Sequence, residues 1–132
     1  MSQQSGQPEL TVRAAQAEVD ASIQALGGYW RPLANLARLI EECGELARGV
    51  NQRYGPKIVK PQEAATALAE ELGDVLYVAL VLANKLEIDA TSALAEAIAK
   101  ARRRAMERGS ESATPQGAPI DDEIADDVMA VE

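Results

Sequence analysis

Residues 70–85, EELGDVLYVALVLANK, give the strongest indication of the fold in this sequence. The run from Val75 to Ala83 is apolar at every position, whereas a surface helix carries apolar residues on one face only. The run is about half as long as a membrane crossing requires, so it predicts a helix that is buried inside a soluble protein. Glu71 and Asp74 precede it on the side that leads inward. The stretch therefore predicts a central helix that carries carboxylates toward the interior.

Four helices are predicted in all, and strand-forming blocks are scarce, so the fold class is all-α. Gly27-Gly28 ends the first helix, and the stretch that begins at Tyr54 ends the second. Pro32 and Pro61 suit the first turns of the second and third helices, and Asp89 or Thr91 can cap the fourth. The predicted helices cover about 9–26, 32–53, 61–86 and 89–108. The predicted inner face of the second helix comprises Leu33, Leu36, Ala37, Ile40, Ala47 and Val50.

Charge is unevenly distributed along the chain, whose formal net charge is −8. Residues 109–132 carry seven acids and no Lys or Arg, whereas residues 1–108 hold 14 acids against 13 bases. We therefore predict a flexible start over 1–8, one domain over 9–108 and an acidic, largely disordered tail over 109–132. A neutral body with an acidic tail disfavours specific nucleic-acid binding. The single cysteine, Cys43, is expected to be a buried, inert thiol, and the polar N-terminus predicts a cytoplasmic protein without a membrane anchor.

Two pairs of acidic residues suggest a metal site. Glu42 and Glu45 lie three positions apart, as do Glu71 and Asp74, so each pair shares one helix face. Two antiparallel helices would bring both pairs together as an all-oxygen site. The chain has no His, which disfavours zinc, copper and Glu-x-x-His di-iron centres and favours Mg²⁺ or Mn²⁺. The alternatives are a solvated acidic face, or salt bridges to bases on the same helix. Those bases are Arg38, Arg48 and Arg53.

The order of these acids resembles the signature of the MazG-like all-α nucleoside triphosphate pyrophosphohydrolases. The first block is E-E-x-x-E, within IEECGELARGVNQRYGPK, and the second is E-x-x-D, within EELGDVLYVALVLANKLEID. The resemblance covers about residues 30–108. It implies a four-helix-bundle-like fold, a homodimer or a tetramer built as a dimer of dimers, and hydrolysis of (deoxy)nucleoside triphosphates to the monophosphate and pyrophosphate, as in nucleotide-pool housecleaning.

The resemblance also assigns roles to individual acids. Glu42, Glu45, Glu71 and Asp74 match the Mg²⁺ ligands of the family, with Mn²⁺ as a substitute. Glu41 matches the leading glutamate, which helps to hold a further ion or orients the attacking water. Such ions would reverse the local negative charge that otherwise repels a triphosphate. Because His is absent, the general base is left to a carboxylate or to an ion-bound hydroxide.

Substrate contacts are predicted from basic and aromatic residues. The candidates for the phosphates are Lys57, Lys85, Lys100, Arg103 and Arg104. A basic run such as KARRRAMER also complements a helix C-terminus or stays solvated, so that alternative stays open. Trp30, the single Trp, is a candidate for stacking on the base, with core packing or a subunit contact as the alternatives.

Two rival functions are compatible with the same sequence. Phosphoribosyl-ATP pyrophosphohydrolase belongs to the same superfamily and would use the same metal chemistry. A non-catalytic helical interaction module would leave the acids solvated and use the tail as a partner arm. Turnover of free dNTPs argues against the first rival, and Mg²⁺ binding that depends on the acids argues against the second.

Overall fold

The protein is all-α over the part of the chain that its computed structural model describes, namely residues 8–56 and 61–111, with side chains for 8–56 and 67–110. Four helices and no strand occur in these ranges: α1 (Val12–Ala25), α2 (Pro32–Tyr54), α3 (Pro61–Lys85) and α4 (Ala90–Glu111). The predicted all-α class is confirmed. Helix α4 continues through Gly109, three residues past the predicted end. Most of the predicted flexible start and acidic tail lies outside the described residues.

The chain divides into two compact units, one up to Ala95 and one from Glu96 onward. In the first unit, α3 packs against both α1 and α2. Both partners run antiparallel to α3. The side-chain amides of Gln16 on α1 and Asn84 near the end of α3 meet at 2.9 Å, and Gly49 late in α2 lies beside Leu68 early in α3. The apolar centre of this unit is formed by Val19, Val78 and Val81, all buried.

The turn after α1 requires the two glycines that the sequence places there. Gly27 and Gly28 have φ angles of 104° and 98°, in the left-handed region that side chains disfavour. Their N–H groups donate to the carbonyls of Gln24 and Ile23, which closes the last turn of α1. The chain then turns back sharply, and this places Tyr29 and Trp30 beside the start of α2.

The face of α2 that packs on α3 differs from the predicted one. Asn35 and Glu42 are buried at 4% and 6% exposure, and a Cβ at Gly49 would lie 3.0 Å from the Leu68 side chain. By contrast, Leu33 and Ile40 are 80% and 64% exposed. The prediction was wrong because it assumed that the most apolar stripe of α2 packs inside the same chain. In the structure the least exposed residues of α2 are the buried Asn35 and Glu42 and the half-buried Leu39, Leu46 and Gly49, whereas the predicted apolar stripe faces outward.

Two smaller predictions about burial were also wrong. Cys43 is exposed, because it lies on the same outward stripe of α2. Helix α3 is buried at Val78 and Val81 but not on every side, since Leu76 and Tyr77 are 58% and 39% exposed. Two helices cannot enclose all faces of a third. None of the described helices combines the length and the apolarity that a bilayer crossing needs.

Asp89 caps α4, as one of the two predicted caps. Its carboxylate accepts hydrogen bonds from the Ser92 hydroxyl at 2.8 Å and the Thr91 N–H at 3.0 Å, and it pairs with Arg13 at 3.2 Å. These contacts, the Ser92 bond first, hold the pKa of Asp89 below its usual value.

We therefore expect Asp89→Ala to lower the melting temperature at pH 7, and to lower it by less as the pH falls through the range in which Asp89 takes up its proton. The lowered folded-state pKa means that the stabilisation is present above the unfolded pKa and is lost as pH falls through the folded pKa. Thermal melts of both proteins between pH 2 and 7 measure the difference. Asp89→Asn keeps an oxygen acceptor but does not titrate, so its deficit relative to the parent should also shrink as the pH falls. A deficit for Asp89→Ala that stays constant with pH would contradict the assignment.

Candidate metal centre

Three carboxylates from two helices converge beside the α2–α3 contact. Glu42 projects from α2, and Glu71 and Asp74 project from successive turns of α3. Each offers an oxygen, and these oxygens lie within 4.8 Å of one another. Glu42 is buried, Glu71 is half-buried and Asp74 is exposed, so the group opens to solvent on one side. The predicted approach of the two acidic blocks on antiparallel helices therefore occurs for these three residues.

The spacing of the three carboxylates suits a single hard cation. Two oxygens on opposite sides of one Mg²⁺ lie about 4.2 Å apart, since each bond is about 2.1 Å. The observed limit of 4.8 Å is within a small side-chain adjustment of that value. In the described part of the chain, neither Glu71 nor Asp74 has an ion-pair partner. Like-charged oxygens placed this closely repel, and a divalent cation among them would remove that repulsion.

Arg38 is the base that contacts this group. Its Nη2 lies 2.5 Å from Oε1 of Glu42, and its Nη1 lies 3.4 Å from Oε2 of Glu41. The Arg38 side chain is half exposed, whereas the Glu42 side chain is only 7% exposed. The guanidinium thus reaches inward from the solvent side and neutralises a buried carboxylate.

The remaining acids of the first block lie apart from the three-carboxylate group. Glu41 is 68% exposed at its side chain and is paired with Arg38. Glu45 lies one helical turn beyond Glu42, but its carboxylate is paired with Arg48 at 2.5 Å and is 47% exposed. The sequence-based alternative of salt bridges on α2 therefore describes the pairing of Glu41 and Glu45. Their roles in metal binding and catalysis stay predictions.

A pocket of about 410 Å³ adjoins the carboxylate group, and Glu42 and Asp74 are among its lining residues. Its walls come from the end of α1, the turn that follows, α2 and α3. Such a volume suits a nucleoside-sized ligand. Three aromatic residues line it, namely Tyr29, Trp30 and Tyr77. Four aliphatic residues complete the apolar part, namely Ile23, Leu26, Val78 and Val81.

Hydrogen bonds hold the aromatic turn in place. The buried Asn35 side chain donates to the Trp30 carbonyl at 3.1 Å, which ties the turn to α2. The Tyr29 hydroxyl donates to Asp20 at 2.6 Å. Burial raises the pKa of Tyr29 above its usual value, and the hydrogen bond to Asp20 adds to this. Tyr29 therefore stays a neutral donor at ordinary pH.

The predicted substrate-binding residues fall in different places. Trp30 is 63% exposed and lines the pocket, so its ring is available to a ligand. Lys85 lies in the last turn of α3, about 16 Å along the helix axis from Asp74 at 1.5 Å per residue. Lys57 lies outside the described residues. The α4 candidates belong to the second unit, where Arg103 pairs with Glu96 at 3.0 Å. The other two are Lys100 and Arg104.

Arg38 was predicted as a salt-bridge partner of the acids, and the structure pairs it with Glu42 and Glu41. Sequence reasoning missed two residues that shape the site, Asn35 and Tyr29. A polar residue one turn into a helix that starts at Pro32 is a signal for a turn anchor, but nothing local indicates that it is buried. The aromatic pair Tyr29-Trp30 directly after two glycines does suggest a turn whose side chains border a pocket.

Comparison with known proteins gives concordant results. The family model described as the MazG nucleotide pyrophosphohydrolase domain matches residues 31–108. The Bacillus subtilis (strain 168) protein named "Uncharacterized protein YpjD" is 52% identical over 84 residues, which are 63% of this chain and 76% of that protein.

Two crystal structures are similar in fold and in sequence. One is a Bacillus-conserved MazG protein, described as a nucleotide pyrophosphohydrolase, with a TM-score of 0.61 and 43% identity over 71% of this chain and 92% of that chain. The other is the putative pyrophosphatase YPJD from Bacillus subtilis, with a TM-score of 0.64 and 46% identity over 71% of this chain and 97% of that chain.

Proposed function

The chain belongs to the MazG nucleotide pyrophosphohydrolase domain family, and on this premise we propose that it hydrolyses (deoxy)nucleoside triphosphates to the monophosphate and pyrophosphate with Mg²⁺. The observation that carries the proposal is that two of the three clustered carboxylates, Glu42 and Asp74, line a pocket that aromatic residues also line. A ligand with an apolar, stackable part and a polyanionic part held through cations fits both features. A nucleoside triphosphate has these two parts.

We propose that the base and sugar occupy the pocket beside Trp30 and that the phosphates extend toward Glu42 and Asp74. Glu42, Glu71 and Asp74 hold Mg²⁺, and Glu45 joins them by leaving Arg48. The bound ion supplies charge neutralisation for the triphosphate and an acidified water. The chain's own residues fix the position of the ion, because burial in the α2–α3 contact holds Glu42 in place.

The proposed reaction is an attack by water on the α-phosphorus. The new bond joins the water oxygen to that phosphorus, and the bond to the bridging oxygen of the β-phosphate breaks, so that pyrophosphate leaves. The proton of the water passes to a carboxylate, since the chain has no His. We propose that Glu41 orients this water, because it adjoins Glu42 and is accessible. The physiological role that we propose is nucleotide-pool housecleaning.

A panel of canonical and modified NTPs and dNTPs, assayed with Mg²⁺ and with Mn²⁺, tests the proposal. The products should be the monophosphate and pyrophosphate in equal amounts. Release of orthophosphate would contradict the assigned bond. Turnover restricted to phosphoribosyl-ATP would identify that rival activity, and no turnover together with no Mg²⁺ binding would favour a non-catalytic module.

Trp30→Ala is expected to raise KM for the preferred nucleotide by about 10-fold, because stacking of a base on an aromatic ring is worth roughly 1–3 kcal/mol. Steady-state kinetics measure this change. Mg²⁺ binding without nucleotide should be unaffected, since Trp30 is not among the carboxylate group. Trp30→Phe keeps an aromatic ring, so its KM should lie between those of the parent and of Trp30→Ala. An unchanged KM for Trp30→Ala would place the base elsewhere.

We further propose that the protein is at least a homodimer that associates through the outward face of α2. Seven exposed residues on this helix follow a spacing of three and four, which is the pattern of a helix–helix seam. Five of them are large, exposed hydrophobic residues, and Cys43 is exposed as well. We call this set the α2 stripe; it comprises Leu33, Leu36, Ile40, Cys43, Ala47, Val50 and Tyr54.

A second copy of the chain is the occupant that we propose for the α2 stripe. From Leu36 to Tyr54 the spacing is the same in both directions, so an antiparallel copy matches it about a two-fold axis. Cys43 then faces the partner's Ala47, and the small side chains at the centre allow the helices to approach closely. An exposed apolar face of this length is unusual for a monomer in water.

A further inference from the structure

Arg38 occupies a position that the proposed metal chemistry does not explain. It lies beside Glu42, the most deeply buried carboxylate of the three-carboxylate group. Its positive charge would repel any cation that binds there. A bound ion and the guanidinium would compete for Glu42. Arg38 must therefore leave Glu42, at least in part, when an ion binds.

We propose that Arg38 is an internal counter-ion that stands in for the divalent cation at Glu42, and that cation binding releases it to the substrate's phosphates. This inference rests on the proposed function. The guanidinium of Arg38 lies 2.5 Å from Oε1 of Glu42, so it holds one of the two oxygens that Glu42 could offer to a cation. Without Arg38 or a cation, Glu42 would be a buried and unpaired carboxylate, which is costly.

The surroundings of Arg38 permit such an exchange. Its side chain is half exposed, so the guanidinium can leave Glu42 without unpacking α2 from α3. It also lines the pocket that we assign to the nucleotide. A guanidinium that leaves Glu42 on this side therefore enters the space in which phosphates are expected, and its planar group of N–H donors matches phosphate oxygens.

The same movement would release Glu41. Arg38 bridges the two acids, with one terminal nitrogen on each. When Arg38 leaves Glu42, the 3.4 Å contact with Glu41 is lost too, and the Glu41 carboxylate becomes available to the attacking water. Ion binding, phosphate binding and activation of Glu41 would thus be coupled through one side chain.

Arg38→Met tests the proposal because it keeps the aliphatic stem and removes the charge. With MgCl₂ alone, calorimetry should give a Kd for Mg²⁺ roughly 3- to 10-fold lower than in the parent, since a competing cation is gone. With saturating Mg²⁺ and an α,β-imido dNTP, which is not cleaved, the Kd of the nucleotide should be about 10-fold higher. The two affinities should thus change in opposite directions.

The controls separate this role from a structural one. Arg38→Lys keeps the charge and should bind Mg²⁺ like the parent while binding the nucleotide analogue more weakly. Arg13→Met removes an exposed arginine that pairs with Asp89, away from the carboxylate group, and should change neither affinity. Circular dichroism melts verify that each variant folds, and Arg38→Lys alone still tests the nucleotide contact.

Two results would overturn the inference. Weaker Mg²⁺ binding in Arg38→Met would mean that Arg38 merely supports Glu42, and unchanged affinities for both ligands would mean that it is a surface ion pair. Either result leaves the proposed function intact if the parent binds Mg²⁺ and releases pyrophosphate. Absence of Mg²⁺ binding by the parent would instead remove the proposed function, and this inference with it.

Discussion

Asp74→Asn should lower kcat for pyrophosphate release by about 10³-fold or more. Asp74 supplies one of three oxygens that a single cation would share, and loss of about 4 kcal/mol of transition-state stabilisation corresponds to that factor. The side chain is exposed and keeps its size on substitution, so the helical fold should survive. Pyrophosphate release and Mg²⁺ calorimetry measure the two consequences, and Glu42→Gln should behave in the same way.

Glu70→Gln is the matched control for this experiment. Glu70 precedes Glu71 on α3, is exposed and lies outside the three-carboxylate group. The substitution removes the same charge from the same helix, so activity should stay close to that of the parent. If Asp74→Asn retained more than half of the parental turnover, the assignment of this residue as a metal ligand would be wrong.

Val50→Glu should convert the proposed dimer into a monomer. Each copy would place a carboxylate in the α2 stripe, and the two-fold axis would bring both charges into one apolar interface. Burying unpaired charges in this way should weaken association on the order of 100-fold or more. Val50 lies two turns from Glu42, so Mg²⁺ binding by the folded monomer should persist. Sedimentation velocity over a range of protein concentrations measures the shift.

Gln52→Glu provides the comparison for the stripe. Gln52 is exposed on the same helix but lies outside the stripe, so the same new charge should leave the dimer intact. A parent protein that is monomeric at all accessible concentrations would refute the proposed interface. A dimer that tolerates Val50→Glu would show that the copies associate through another surface.

The helices and their ends could be predicted because their signals are local. Gly27-Gly28, Pro32 and the cap at Asp89 act through backbone conformation and hydrogen bonds within one turn. Such effects do not depend on what the helix packs against. The predicted ends of the described helices therefore agree with the observed ends to within about three residues, and the all-α class follows.

The packing of α2 could not be predicted from its pattern. Apolar periodicity identifies a face that avoids water, but it does not state whether that face meets the same chain or another copy. The sequence-based choice placed Ile40 inside and left Asn35 out of account, and the structure reverses both. The two buried residues of α2 are polar, because Asn35 anchors the turn and Glu42 belongs to the carboxylate group.

Local signals in the chain were enough to predict the four helices, and helix periodicity was enough to put Glu71 and Asp74 on one face. Which acids meet depends on the packing of the helices: Glu42 joins these two, while Glu45 pairs with Arg48. The same packing forms the pocket that the aromatic turn lines beside that group. These outcomes depend on how α2 is rotated against α3, which packing over the whole unit determines and which no short segment encodes.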